Sequence, residues 1–175
     1  MATLATNPPL ISVEEYLRSS YRPDCDYVDG VIEERNLGEE DHSNLQTELA
    51  FLFRGHNKDW AIKTRMELRL QVAPRRFRVP DVMILRETQK VDRIVREAPL
   101  LCIEVLSPED SWKKMSVRLN DYVALGVEHI WCFNAETREV RRYTAAGYEV
   151  VKEPVLTVPG TPIQINIADV FSALD

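Results

Sequence analysis

A chain of 175 residues with 45% hydrophobic and 29% charged residues has the apolar content to bury a core of domain size. Its net charge of -6 excludes indiscriminate binding to polyanions, so any nucleic-acid contact has to come from a local basic face. No apolar run approaches the roughly 20 residues that span a bilayer, and Met1 to Leu10 carry neither a basic start nor a long apolar stretch, so no membrane association and no signal peptide are expected.

Residues 1–11 are expected to be a flexible lead, and 12–175 one domain. Ser12 with Glu15 has the spacing of a capping box and predicts a short helix to about Ser19. Tyr27 to Ile32 predicts a hairpin, because Asp29-Gly30 suits a type I′ turn. A helix is predicted from about Asp41–Ser43, with Ser43 and Gln46 as its capping box. Leu45, Leu49, Leu52 and Phe53 form its apolar stripe, and Gly55 stops it. Met66, Leu68, Leu70 and Val72 alternate with Arg65, Glu67, Arg69 and Gln71, which predicts one half-buried antiparallel strand. Ala73 to Arg76 turns into a second strand, Phe77 to Leu85. Residues 86–98 predict a loop or short helix.

Leu100 to Leu106 is a buried strand ended by Ser107-Pro108, and a helix with stripe Met115, Leu119, Tyr122 and Val123 follows, ended by Gly126. His129 to Phe133 is the next buried strand. Strand, helix and strand make a right-handed parallel crossover. Arg138–Tyr143 and Tyr148–Val151 form a further hairpin. Residues 155–165 read as loop plus a short strand, and Asn166 caps a last helix. Cys25, Cys102 and Cys132 are odd in number and unpatterned. Cys102 and Cys132 lie in apolar strands as reduced thiols, which leads us to expect a cytoplasmic location.

Two of these strands each embed one acid, Asp81 after Pro80 and Glu104 between Ile103 and Val105. A carboxylate in an apolar strand needs a cation or donors to meet it. If the strands are neighbours, the two acids repel each other, and a divalent cation relieves the repulsion; the bland alternative is a pair of structural arginines.

The order of helix, antiparallel strands, acidic strand, acidic strand, helix and strand resembles the PD-(D/E)XK nuclease superfamily. Within it, Arg78-Val79-Pro80-Asp81-Val82, Ile103 to Pro108, Asp121-Tyr122, Gly126-Val127 and Trp131 are closest to the Uma-type restriction endonuclease family. Val13 to Leu17 and Val28-Asp29-Gly30 are similar too, so the resemblance spans roughly residues 12–150. It implies an α/β, restriction-endonuclease-like fold with a mixed β-sheet flanked by helices. It also implies a Mg2+-dependent phosphodiesterase, with Mn2+ as a substitute, acting on DNA as a homodimer. Asp81 and Glu104 would coordinate the ion, with the Val105 carbonyl as a further ligand. Hard oxygen ligands suit these metals rather than zinc.

One departure matters. Leu106 stands where the superfamily carries a lysine, and the resemblance implies that the charge has moved to the following helix, to Lys113, Lys114 or Arg118. Lys114 is our choice for the catalytic role and Arg118 for clamping phosphate, because arginine does not accept a proton. A solvated helix face is the alternative. His42, behind Glu39, Glu40 and Asp41, matches a family position near the metal, which makes His42 and Glu40 accessory candidates; an exposed helix start accounts for them equally simply. Lys63, Arg65, Arg69, Arg75, Arg76 and Arg78 crowd the hairpin before Asp81. Arg65, Arg69, Arg76 and Arg78, with Lys113, are the nucleic-acid contacts we expect, against a solvated strand face. The rival to a nuclease is an inactive relative that binds nucleic acid or dimerises.

Overall fold

The structure is a computed structural model that describes residues 9–35 and 39–175. Residues 1–8 of the expected flexible lead lie outside the described residues. At its end Ile11 is tied down, its N–H donating to the Gly30 carbonyl and its own carbonyl accepting from the Tyr27 hydroxyl. Helix α1 (Val13–Arg18) opens on Ser12, whose Oγ accepts the Glu15 N–H at 3.1 Å. Strands β1 (Asp26–Val28) and β2 (Val31–Glu33) turn at Asp29-Gly30, both at positive φ as a type I′ turn demands. Helix α2 (Glu40–Gly55) begins one turn earlier than the capping-box spacing predicts. Glu39 is its N-cap, so Ser43 is interior and Gln46 is released for another role.

The two strands expected at Met66–Val72 and Phe77–Leu85 are each split. β3 (Ile62–Met66) and β4 (Leu70–Ala73) are separated at Glu67, which adopts φ +46° and donates its N–H to the Pro80 carbonyl. β5 (Arg76–Arg78) and β6 (Val82–Arg86) are separated at Val79-Pro80-Asp81, where proline has no N–H for a ladder. The halves lie in different sheets. Residues 87–100 contain no helix, and Val95 bridges to Leu70. β7 (Leu101–Leu106), α3 (Trp112–Leu125) and β8 (His129–Asn134) form the expected parallel crossover, and Gly126 closes α3 at φ +95°. β9 (Glu139–Thr144) and β10 (Gly147–Val150) pair as a hairpin. Residues 155–166 hold two short strands rather than one, β11 (Val155–Thr157) and β12 (Gln164–Asn166). Asn166 then caps α4 (Ile167–Phe171).

The large sheet runs β10-β9-β8-β7-β6-β3, with only β7–β8 parallel, and a smaller antiparallel sheet runs β2-β1-β5-β4. Leu101, Ile103 and Val105 pack on one face of the large sheet with Leu45, Leu49 and Phe53 of α2. Cys102 and Leu106 pack on the other with Met115, Leu119 and Tyr122 of α3. At the β3 edge, the Ile62 N–H donates to the Asn57 carbonyl and the Thr64 N–H to Asn57 Oδ1, while Arg65 Nη1 donates to the Thr64 carbonyl.

Helix α3 is anchored by Ser111, whose Oγ accepts the Lys114 N–H at 3.1 Å. Ser111→Ala is expected to cost about 1 kcal/mol, the usual value of a lost N-cap. An unchanged urea midpoint would count against this.

Candidate active site

β6 and β7 are antiparallel neighbours, with Val82 opposite Ile103. One further step of that register sets Asp81 against Glu104. Met83 and Leu85 lie with Cys102 on the α3 side, so the period of two along each strand assigns Asp81 and Glu104 to that side as well. Asp81 is 1% exposed and Glu104 wholly buried. Both therefore require partners.

Asp81 Oδ2 accepts the Val105 N–H at 2.8 Å and lies 3.4 Å from His42 Nε2, while Oδ1 pairs with the Arg35 guanidinium. Burial alone would raise this carboxyl. The hydrogen bond from His42, the Arg35 charge and the Val105 N–H outweigh burial and hold it well below the ordinary carboxylate range. The same contact raises the pKa of His42 against its own burial. Glu104 accepts from Arg118 Nη1 at 3.2 Å and from the Tyr122 hydroxyl. Here burial wins. Together with the Asp81 charge it lifts the Glu104 carboxyl above its usual range, although Arg118 pulls the other way.

Arg118 also donates from Nε to Asp26 Oδ2 at 3.1 Å. Asp26 accepts in addition from Arg78 Nη1 and from the Val79 N–H, both at 2.9 Å. Arg78 continues to Asp121 at 2.7 Å and to Glu33 at 2.7 Å. A chain of buried ion pairs thus runs from Glu104 through Arg118, Asp26 and Arg78 to Asp121. Its position changes how the basic hairpin is to be understood. Arg78 is not presented to solvent; its side chain is 3% exposed and serves three carboxylates. Arg76 pairs with Asp29 and Asp121. Arg69 pairs with Asp24 and lies over the Tyr16 ring at 4.2 Å. Arg65 bonds the Thr64 carbonyl and lines a groove with Phe51, Arg54 and Met66, apart from the acids.

Beside Asp81 and Val105 opens a cleft of about 290 Å³, which His42, Ser107, Lys114 and Arg118 also line. Lys114 is exposed and has no ion-pair partner among the described residues. Lys113 is exposed on the same helix but does not line the cleft, and Glu40 is exposed at the start of α2. Trp112 is half-buried under Arg141, 3.9 Å from its ring centre, and Trp131 is in the core.

Among the described residues no three His, Cys, Asp or Glu side chains form a cluster that could hold a metal. The donor set is nevertheless suited to one hard cation: two buried carboxylates on facing strand positions, next to backbone at Val105, beside an open cleft. Mg2+ is commonly held by one or two carboxylates and completes its shell with water and phosphate. Arginines stand against both acids, which places positive charge where the carboxylates demand it.

Several residues at the site had no distinct sequence signal. Arg35 belongs to a polar stretch, Glu33 to Asp41, and Asp26 precedes a hairpin like any surface acid. Tyr122 reads as part of the apolar stripe, and its hydroxyl is the exception. Gln46 donates to the Asp81 carbonyl at 3.2 Å and to Glu67 at 3.4 Å.

The mixed sheet flanked by helices, with facing acids on adjacent strands, is a restriction-endonuclease-like fold. The structure is similar to the crystal structure of a "putative nuclease belonging to DUF820" from Anabaena variabilis ATCC 29413, with a TM-score of 0.81 and 23% identity. The match covers 94% of this chain and 99% of that one, and at this identity it speaks to the fold. No curated protein matches the sequence. The sequence profile of the Uma2 family, described as "Putative restriction endonuclease", matches residues 13–168, and the chain belongs to that family. No helix of the described residues is long and apolar enough to cross a membrane.

Proposed function

We propose that the protein is a Mg2+-dependent endonuclease that hydrolyses DNA phosphodiester bonds, with Mn2+ as an alternative ion. The observation that carries this is the facing pair of buried carboxylates, Asp81 and Glu104, beside a cleft bordered by Lys114 and Arg118. Family membership and the nuclease-like fold support it. Asp81, Glu104 and the Val105 carbonyl would hold the ion, which supplies a water of lowered pKa and neutralises charge on the phosphate. Arg118, fixed between Asp26 and Glu104, is oriented to clamp a phosphate oxygen but keeps its proton. Lys114, without an ion-pair partner among the described residues, presents its ammonium at the cleft as the donor to the leaving oxygen. His42 donates to Asp81 and orients that carboxylate. The test is cleavage of duplex and single-stranded DNA with Mg2+, with Mn2+ and with chelator. Cleavage that chelator leaves intact would overturn the metal dependence.

The relocated cation gives a separate expectation. Lys114→Ala and Arg118→Ala should each slow cleavage by about 10²–10³-fold, the range for one lost electrostatic group. If Glu104→Ala abolishes cleavage while both basic variants keep the parental rate, α3 does not supply the missing charge.

Cutting both strands of a duplex calls for two sites, so we extend the proposal to a homodimer. Sedimentation at micromolar concentration should give twice the chain mass of 20.2 kDa, and a monomer would count against it. A second function follows from the ion pairs themselves. With Arg35 on Asp81 and Arg118 on Glu104, the acids are neutralised internally, which suits a nuclease-fold domain that binds nucleic acid or dimerises without turnover. DNA binding without cleavage under every metal condition would favour it. The same site leads us to propose a cytoplasmic location, where DNA and Mg2+ are both at hand.

A further inference from the structure

Arg35 is the least settled member of the site. Its guanidinium pairs with Asp81, and its Nη1 lies 3.8 Å from Glu67 Oε1. The side chain is 9% exposed, yet Nε is buried with no hydrogen-bond partner among the described residues. A buried donor without an acceptor is a cost that the observed arrangement leaves in place. The charges around Arg35 are divided. Asp81 and Glu104 favour its positive charge, and Arg118 opposes it.

Glu67 is built to stay close. It occupies the break between β3 and β4 at φ +46°, a conformation that glutamate rarely adopts. Its N–H donates to the carbonyl of Pro80, the residue before Asp81, at 3.2 Å. Gln46 Nε2 bridges the same two segments, reaching Glu67 Oε1 at 3.4 Å and the Asp81 carbonyl at 3.2 Å. The Glu67 carboxylate is therefore held beside Asp81 at a fixed offset. It is 50% exposed, so its charge costs little whether or not Arg35 is on it.

We propose that Arg35 is a resident counter-ion of Asp81 that an incoming divalent cation displaces, and that Glu67 is the acceptor that receives it. This rests on Asp81 and Glu104 holding the ion. On Asp81, Oδ2 is already taken by His42 and the Val105 N–H, so an incoming dication and the Arg35 guanidinium meet at Oδ1, where their charges repel. A guanidinium displaced from Asp81 needs another carboxylate, and a small shift toward Glu67, already 3.8 Å from Nη1, keeps it paired. Arg35 then protects the acids while the metal is absent, and Glu67 lowers the cost of admitting it.

The experiment is calorimetric titration of the full chain with MnCl2, without DNA. Arg35→Gln should bind Mn2+ about tenfold more tightly than the parent and Glu67→Gln about tenfold more weakly, the size of one typical site-to-site coupling. In the Arg35→Gln background, Glu67→Gln should then change nothing. If Glu67→Gln weakens binding equally in both backgrounds, or if Arg35→Gln leaves the affinity unchanged, the displacement is refuted. Asp81→Asn tests the underlying site separately, because affinity that it leaves intact means the ion binds elsewhere and both proposals fall. Should Arg35→Gln not fold by circular dichroism, a crystal structure of the parent with Mn2+ decides. The guanidinium has to be found on Glu67, and finding it still on Asp81 beside the bound ion overturns the proposal.

Discussion

Asp81→Asn and Glu104→Gln should each reduce cleavage by about a thousandfold or more, because removing an anionic ligand forfeits several kcal/mol of metal-derived stabilisation. Both substitutions preserve shape, so the loss should come without collapse of the fold. Thermal denaturation provides an independent check. A ligand that binds only the native state raises its melting temperature, so millimolar Mg2+ or Mn2+ should stabilise the parent and neither variant. The acids differ in how they stand without metal. Asp81 is held as a carboxylate by His42, Arg35 and the Val105 N–H, whereas burial raises Glu104. Of the two, Glu104 is the member whose charge the surroundings favour less. Full activity in either variant would remove the carboxylate pair from the mechanism.

The largest effect on stability is expected at Arg78. Its guanidinium is 3% exposed and joins Asp26 to Asp121 across β1, β5 and α3, with Glu33 at the margin. Removing one member of a buried ion pair leaves an uncompensated charge and costs about 3–5 kcal/mol. Asp26 and Asp121 would both be left short of a partner by Arg78→Ala. Domains of this size are stable by about 5–15 kcal/mol, so the loss should be a large share of the total. A shift in urea unfolding free energy under about 1 kcal/mol, the scale of an exposed pair, would show that Arg78 is a surface cation after all.

Those two expectations also mark where sequence is informative. Asp81 and Glu104 stand out because each interrupts an apolar run, and an acid in such a place has to be answered by something. Gly126 and Ser12 are legible for local reasons, a helix stop and an N-cap. Arg78 shows the opposite case. In the sequence it is one of several arginines on a basic hairpin, and its place beside Val79-Pro80-Asp81 does not say that its side chain is buried. Its burial is decided by Asp26, Asp121 and Glu33, which are distant in the chain. The break at Glu67 is hidden in the sequence for a related reason. The alternation of Met66, Leu68, Leu70 and Val72 suits one long strand, and only the passage into a second sheet makes the backbone turn there. Arg35 carries no periodic or motif signal, and the spacing of Gln46 from Ser43 suggests a capping box that the helix does not form, so both matter only through what folding brings beside them.

The treatment of the β3 edge constrains how copies of the chain can meet. An edge strand ordinarily offers a ladder of free amides and carbonyls to any extended segment that drifts past, the starting point of aggregation. Here Asn57 occupies the amides of Ile62 and Thr64, and Arg65 occupies the carbonyl of Thr64. The large sheet cannot be continued across these positions by a neighbour's backbone. Two subunits that met on this flank would have to recognise each other through side chains, and a loose strand of another polypeptide would find no foothold there.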